Sequence, residues 1–444
     1  MRFSIPRILI AWTAGLLLLA GNGLRVDPVD ADDSQATKLL VDIGSPGRRN
    51  VPIALPSTKG SDPVANELWS VVRRDLEISG WFEIIDEKAF IEPATAGIRP
   101  GQFSFDDWKV PGAAVLAKTS VGKSAQKVRA EVWIYDVAGA KKLDARAFSG
   151  KSDAIRNVGH RVANAIVKAV TGHDSIFNTR FAAVSKRTGN KEIYLLDVDG
   201  HGVVSVTRNG SINLKPAWSP TGSALLYTSY RAGNPDLFVA DLAKGTTRRL
   251  SSRTGLNIGG AWSPSGELIA LTLSPGGNSD IHTIDPYAGR TVKRLTNYRG
   301  IDTSPTWSPD GSKLAFVSER SGKPQIYVMN ADGGDARRVS FVGTHNTDPA
   351  WSPDGERLAF VSRDGNFDVF TVGLDGRGSL RITQDQGDNE DPSWSPDGRY
   401  LSFSSTRKSG NHIWVSTADG YHQVQVTQGT GNWSNPAWSP GLSW

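Results

Sequence analysis

Trp307-Ser-Pro-Asp-Gly311 leads into Lys313-Leu-Ala-Phe-Val-Ser318, and a turn at Ser321-Gly-Lys-Pro324 follows. Next come Gln325-Ile-Tyr-Val-Met-Asn330, the turn Ala331-Asp-Gly-Gly334, and Arg337-Arg-Val-Ser340. Short β-branched and aromatic runs bounded by Gly, Pro and Asp are strands joined by hairpins. No helical periodicity runs through the segment. The tripeptide Trp-Ser-Pro recurs at Trp218, Trp262, Trp307, Trp351, Trp394 and Trp438, at intervals of 43 to 45 residues. A strand-and-turn unit repeating every 40–50 residues or so predicts a β-propeller.

Each residue of the repeat has a structural reason. Ser-Pro-Asp-Gly suits a type I turn, with proline pre-set at the second position and glycine at the fourth. The Asp-Gly pairs at 332–333, 375–376 and 419–420 suit the next hairpin on the same edge. The tryptophan is expected to pack between neighbouring sheets. Thr221 and Ser265 replace the aspartate in two copies, and Gly260 replaces the proline before Trp262. Asp310, Asp354 and Asp397 stand where the turn itself wants Asp, so they are read as turn residues rather than as a metal ring. Five copies run whole. The sixth is split between Phe181-Ala-Ala-Val-Ser185, Ile193-Tyr-Leu-Leu-Asp197 and Val203-Val-Ser-Val-Thr207 at its head, and Asn435-Pro-Ala-Trp438 at its tail. A 3+1 blade closes the ring and leaves no open edge. The expectation is an all-β six-bladed propeller over residues 175–444.

Ahead of it, residues 32–174 predict a smaller α/β domain, a mixed sheet with helices. Strand candidates are Lys38–Ile43, Val51–Leu55, Trp81–Ile85, Ala113–Lys118, Val128–Val137 and Lys142–Ser149. Ala65, Leu68, Trp69, Val72 and Leu76 recur at helical spacing between Pro63 and Gly80. A second helix carries Ile155, Val158, Val162, Ile166 and Val170, capped by Ser152 or Asp153 and closed by Gly172. Arg2 and Arg7 precede an apolar run from Ile8 to Ala20, so residues 1–31 predict a secretory signal cleaved somewhere in 20–31.

The chain has no cysteine, which excludes thiolate metal sites and cysteine nucleophiles. Its net charge of +5 comes without a Lys/Arg run, so nucleic acid is not an expected partner. Neither Gly-x-Ser-x-Gly nor His-Glu-x-x-His occurs. Ala117-Lys-Thr-Ser-Val-Gly122-Lys123-Ser124 only approaches a phosphate-binding loop and lies between strand candidates, so a hairpin is expected there. No catalytic residue, metal or cofactor is predicted.

Read together, Leu39-Leu-Val-Asp-Ile43, Gly80-Trp-Phe-Glu-Ile-Ile-Asp86, Thr171-Gly172, Asn178-Thr-Arg-Phe181 and the Pro-Ala-Trp-Ser-Pro repeats resemble the TolB family, periplasmic components of the Tol–Pal system of Gram-negative bacteria. The resemblance implies a non-enzymatic, monomeric periplasmic adaptor. Its partners would be the lipoprotein Pal, which holds it peripherally at the outer membrane, and TolA. Its role would be outer-membrane integrity and envelope constriction during cell division. The alternative is a secreted propeller enzyme acting on glycans or peptides; a peptidase would need a hydrolase domain after the propeller, and six residues follow Trp438.

Loops from each outermost strand to the next innermost strand share one face of a propeller, and variable loops on a rigid scaffold are where binding residues collect. The expected Pal-binding residues are therefore Asp302, Thr303, His345, Asn346, Thr347, Asp348, Asn389, Glu390, Asp391 and Asn435. The resemblance assigns TolA binding to Leu39, Leu40, Val41, Asp42, Ile43 and Gly44. Leu39, Val41 and Ile43 alternate at strand spacing, so this arm can add to a partner's sheet edge.

Overall fold

The computed structural model describes residues 50–442 except Ser61, together with the backbone of Val26–Pro28. The arm Leu39–Gly44 and the strand expected over Lys38–Ile43 lie outside the described residues, as does most of the segment expected to be a signal. Among the described residues no helix is long and apolar enough to cross a membrane.

The N-terminal domain contains β1 (Val26–Pro28), β2 (Val51–Ala54), β3 (Lys59–Gly60), α1 (Asp62–Ser79), β4 (Phe82–Ile84), α2 (Asp106–Lys109), β5 (Val115–Ser124), β6 (Lys127–Asp136), β7 (Lys141–Lys151) and α3 (Ile155–Thr171). The sheet order is β1-β7-β6-β5-β2-β4, with β3 on β5. Pairing is parallel at β2–β4, β2–β5 and β3–β5, and antiparallel elsewhere, so the sheet is mixed. β1 falls within the segment expected to be a signal and forms the edge of the sheet, paired with β7. Residues 117–124 run inside β5 and hairpin into β6, as the near-miss loop predicted.

α1 and α3 cover one face of the sheet. Leu68, Val72 and Leu76 from the first, and Val158, Val162 and Ile166 from the second, are fully or almost fully buried. Gly80 and Gly172 follow them with φ of 65° and 74°, the left-handed stop that a side chain disfavours. Neither Ser152 nor Asp153 caps α3. The chain passes from β7 through a single 3₁₀ turn, Ser152–Ala154, and the N-cap position falls on Ala154 without a side-chain bond. The other face of the sheet lies under the connection between β4 and β5, where Trp108, Ile98 and Tyr135 form a second core.

Six four-stranded sheets follow. Blade 1 is the split one. Trp433–Trp438 forms its innermost strand, beside Arg180–Ser185, Glu192–Asp197 and Val204–Ser205. The innermost strands of blades 2 to 6 are Asn213–Trp218, Asn257–Trp262, Asp302–Trp307, His345–Trp351 and Asn389–Trp394. The fold class is thus an α/β domain joined to a six-bladed propeller closed 3+1.

The tryptophans do more than fill space. The indole N–H of Trp307 donates to Ala261 O of the preceding blade at 3.2 Å, Trp351 to Thr306 O at 3.1 Å, and Trp394 to Ala350 O at 3.1 Å. Trp218 donates to Ala437 O at 3.0 Å across the ring closure. Two depart from this pattern: Trp438 donates to Thr179 Oγ1 at 2.8 Å, and Trp262 has a buried indole nitrogen with no partner among the described residues. Asp310, Asp354 and Asp397 accept from Ser308, Ser352 and Ser395 hydroxyls at 2.5–2.6 Å, which closes their turns.

The N-terminal domain packs on blades 6 and 1. Tyr400 Oη donates to Ser79 O at 2.7 Å, and His422 Nε2 lies 2.7 Å from Glu77 O. Trp81 stacks on His173, whose Nδ1 receives Arg399 at 2.9 Å. One apolar core is continuous from α3 (Ile166, Val170) to Phe181, Tyr400, Ile413 and Trp438 of the propeller.

Candidate functional site

Each innermost strand breaks its pairing at one point, between Leu214 and Ala217, Ile258 and Ala261, Thr303 and Thr306, Thr347 and Ala350, Glu390 and Ser393, and Ser434 and Ala437. At this break, three residues before each tryptophan, the backbone is left-handed. The residues are Lys215 (φ 50°), Gly259 (65°), Ser304 (53°), Asp348 (52°), Asp391 (57°) and Asn435 (48°). Proline follows five of them and Gly260 the sixth. The following proline disfavours the right-handed helical region for the residue before it, and the bulge carries the strand through the break. Left-handed residues other than glycine cost about 1–3 kcal/mol each and cluster at functional sites.

These six residues line a cavity of about 350 Å³ at one mouth of the propeller channel. Its wall is uneven. Blades 2 and 3 contribute Leu214, Ile258 and Gly259, whereas blades 5 and 6 contribute Asp348 and Asp391. Lys215 reaches across the cavity, and its ammonium donates to Asp348 Oδ1 at 2.7 Å and Asp391 Oδ1 at 2.6 Å. Asn435 N donates to Asp391 Oδ2 at 3.1 Å, and Thr347 Oγ1 to Asp348 Oδ2 at 3.2 Å. The Lys215 side chain keeps 42% exposure, so the pair is open to exchange rather than sealed.

The electrostatics follow from this geometry. Burial opposes the charge on Lys215, but the carboxylates of Asp348 and Asp391 outweigh it and hold the ammonium well above the usual lysine range. Burial likewise opposes a charged Asp391, and Lys215 and Asn435 outweigh it and hold the carboxyl below its ordinary value. Glu390 goes the other way. Burial first, then the neighbouring charges of Asp391 and Asp348, push its carboxyl up. At the mouth two carboxylates hold one ammonium, and the Glu390 carboxyl stands close enough to feel their charge.

Of the ten residues expected at this face, the structure gathers Thr303, Thr347, Asp348, Glu390, Asp391 and Asn435 on the channel-lining stretches of the inner strands, and Thr303, Asp348, Asp391 and Asn435 line the cavity itself. Three others are corrected. Asp302, Asn346 and Asn389 are each 0% exposed, because the residue five before the tryptophan of an inner strand turns into its blade. Asp302 takes Arg320 at 2.9 Å. Asn346 donates to Gln325 Oε1 at 2.7 Å and Asn389 to Asp368 Oδ1 at 3.1 Å. They stitch strands together and have no surface to offer. His345 lies off the channel, in a separate cleft with Lys323 and Asp364. Sequence reasoning gave Lys215, Gly259 and Ser304 no individual role, although the loops that hold them fall on this face. The signal was present as a repeat column, the residue three before each tryptophan.

Comparison with known proteins agrees with this architecture. The TolB beta propeller domain family matches residues 167–442, and the TolB amino-terminal domain family matches residues 39–143. The crystal structure of TolB from Acinetobacter baumannii superposes with a TM-score of 0.79 at 27% identity, covering 90% of this chain and 99% of that one. "Tol-Pal system protein TolB" of Geobacter sulfurreducens is 42% identical over 189 residues, 41% of this chain and 43% of that protein. Its counterpart in Syntrophotalea carbinolica is 38% identical over 197 residues, 43% of this chain and 46% of that protein. In these two matches the chain spans less than half the length of either relative. With both family regions matched in order along the sequence, the chain belongs to the TolB family.

Proposed function

We propose that this chain is a non-enzymatic periplasmic adaptor of the Tol–Pal system, which docks Pal at the Lys215–Asp348–Asp391 mouth of the propeller and TolA through the arm Leu39–Gly44. The observation that carries the docking site is the ring of six left-handed residues around a cavity of about 350 Å³. At this position of the repeat one blade opens a lysine, two open aspartates and three open uncharged residues onto the same space. The relatives' name supplies the system, and the charge pattern supplies the mode. Complementary charges at a mouth of this kind set partner choice and approach rate.

The test is calorimetric titration of the full chain with lipid-free Pal. Glu390→Lys reverses a charge that takes no part in the Lys215 bridge, so the cavity keeps its shape. Affinity should fall by roughly tenfold or more, as for charges at interface centres. Unchanged affinity in a folded variant would remove this mouth as the docking site.

A further inference from the structure

Where the two domains meet, Asp75 of α1, His160 of α3 and Asp199 of the blade 1 turn are all buried. One ligating atom from each lies within 4.8 Å of the others. Hydrogen bonds use only part of this donor set. His160 Nδ1 faces Asp75 Oδ2 at 2.7 Å. Asp199 Oδ1 accepts from His201 N at 3.1 Å, and its Oδ2 takes the Arg156 guanidinium. Asp75 Oδ1 and His160 Nε2 remain, on side chains 0% and 2% exposed, with no hydrogen-bond partner among the described residues. Buried polar atoms are nearly always satisfied, and an orphaned pair in one cluster points to an ion or water that completes it.

The chemistry of the set selects the occupant. One imidazole and two carboxylates are borderline nitrogen and oxygen donors, which suit Zn²⁺ and its first-row neighbours. Ca²⁺ and Mg²⁺ take oxygen alone. Two carboxylates outnumber the single Arg156 guanidinium, so the fixed charge beside the imidazole favours a cation over an anion. His201, whose side chain is 61% exposed, stands beside Asp199 and marks the side of the cluster nearest solvent. We propose that Asp75, His160 and Asp199 form a Zn²⁺-type site that ties the N-terminal domain to the propeller. The three ligands come from α1, α3 and the propeller, so a bound ion cross-links the domains directly. This site is separate from the channel mouth, and its test does not involve a protein partner.

The full chain, stripped with a chelator, is titrated with Zn²⁺ by calorimetry, and bound zinc is counted by elemental mass spectrometry. One ion per chain is expected, with an unfolding temperature that rises with Zn²⁺ concentration. His160→Gln should weaken binding by roughly tenfold or more. Because that variant can disturb the joint, Co²⁺ is also added to the unmodified chain, where a 1:1 visible d–d band displaced by Zn²⁺ is expected. Absence of stoichiometric zinc and of the cobalt band in the unmodified chain overturns the proposal and leaves the triad a plain ion-pair joint. Equal zinc affinity in a folded His160→Gln chain overturns it as well, since the ion then sits elsewhere.

Discussion

The two ends of each innermost strand differ in what their chemistry leaves free. At the tryptophan end, indole N–H groups are tied to neighbouring blades and serine–aspartate pairs close the turns. At the other end, three residues away, the backbone is left-handed and the side chains change from blade to blade. One end spends its polar groups on closure of the ring. The other holds its polar groups open to a cavity, clamped only by a half-exposed lysine. A repeat fold can therefore keep its architecture in one column of residues and its specificity in another, with little interference between them.

The contrast can be broken most strongly at the tryptophan end. Trp351→Ala removes an indole 8% exposed together with its bond to Thr306. Chemical denaturation should report a loss of about 3–5 kcal/mol, the cost of an aromatic-sized cavity. A loss below about 1 kcal/mol would mean that this end does not hold the ring together.

Lys215→Met acts at the channel end. It leaves Asp348, Asp391 and Glu390 facing one another without their cation. A sealed pair broken this way costs about 3–5 kcal/mol. The solvent that reaches Lys215 reduces the expected loss to about 1–2 kcal/mol. Denaturation midpoints of the two chains at neutral pH measure it. The pH dependence sharpens the same point. The carboxyl of Asp391 is depressed in the folded chain, so its contribution is present above the ordinary aspartate pKa of about 3.9 and fades as pH falls through the lower folded value. The gap between wild type and Lys215→Met should stay level from neutral pH down to the carboxylate range, then shrink. A gap that persists in acid would assign the loss to packing of the lysine stem instead.

Ser304→Gly probes backbone alone. Relief of a left-handed serine is worth about 1–2 kcal/mol, and the entropy of glycine in the unfolded chain takes back about 0.5–1 kcal/mol. A small gain in thermal stability, under about 1 kcal/mol, is expected, and a clear loss would show that the Ser304 side chain itself holds the ring.

Much of this fold is legible along the chain. The six tryptophans give blade number, phase and the split closure, because turn chemistry and the 44-residue spacing are local. Helical spacing at Leu68, Val72 and Leu76 and the stop at Gly80 are local too. The site is only half legible for a physical reason. Lys215 is 133 residues from Asp348 and 176 from Asp391, so nothing near it in sequence announces its partners. Asp302, Asn346 and Asn389 carry the polar character of loop residues, yet their register in the inner strand turns them inward. The missed cap of α3 has the same origin, since β7 delivers the chain into a 3₁₀ turn that places Ala154, not Ser152, at the helix start.

Amide hydrogen exchange of the full chain with and without lipid-free Pal tests the proposed docking at the channel mouth most directly, since it reads both ends of every inner strand in one experiment. Added Pal should protect amides near Lys215, Asp348, Asp391 and Asn435, and leave the turns after Trp307, Trp351 and Trp394 unchanged. Protection confined to those tryptophan turns, with none around the left-handed ring, would contradict it.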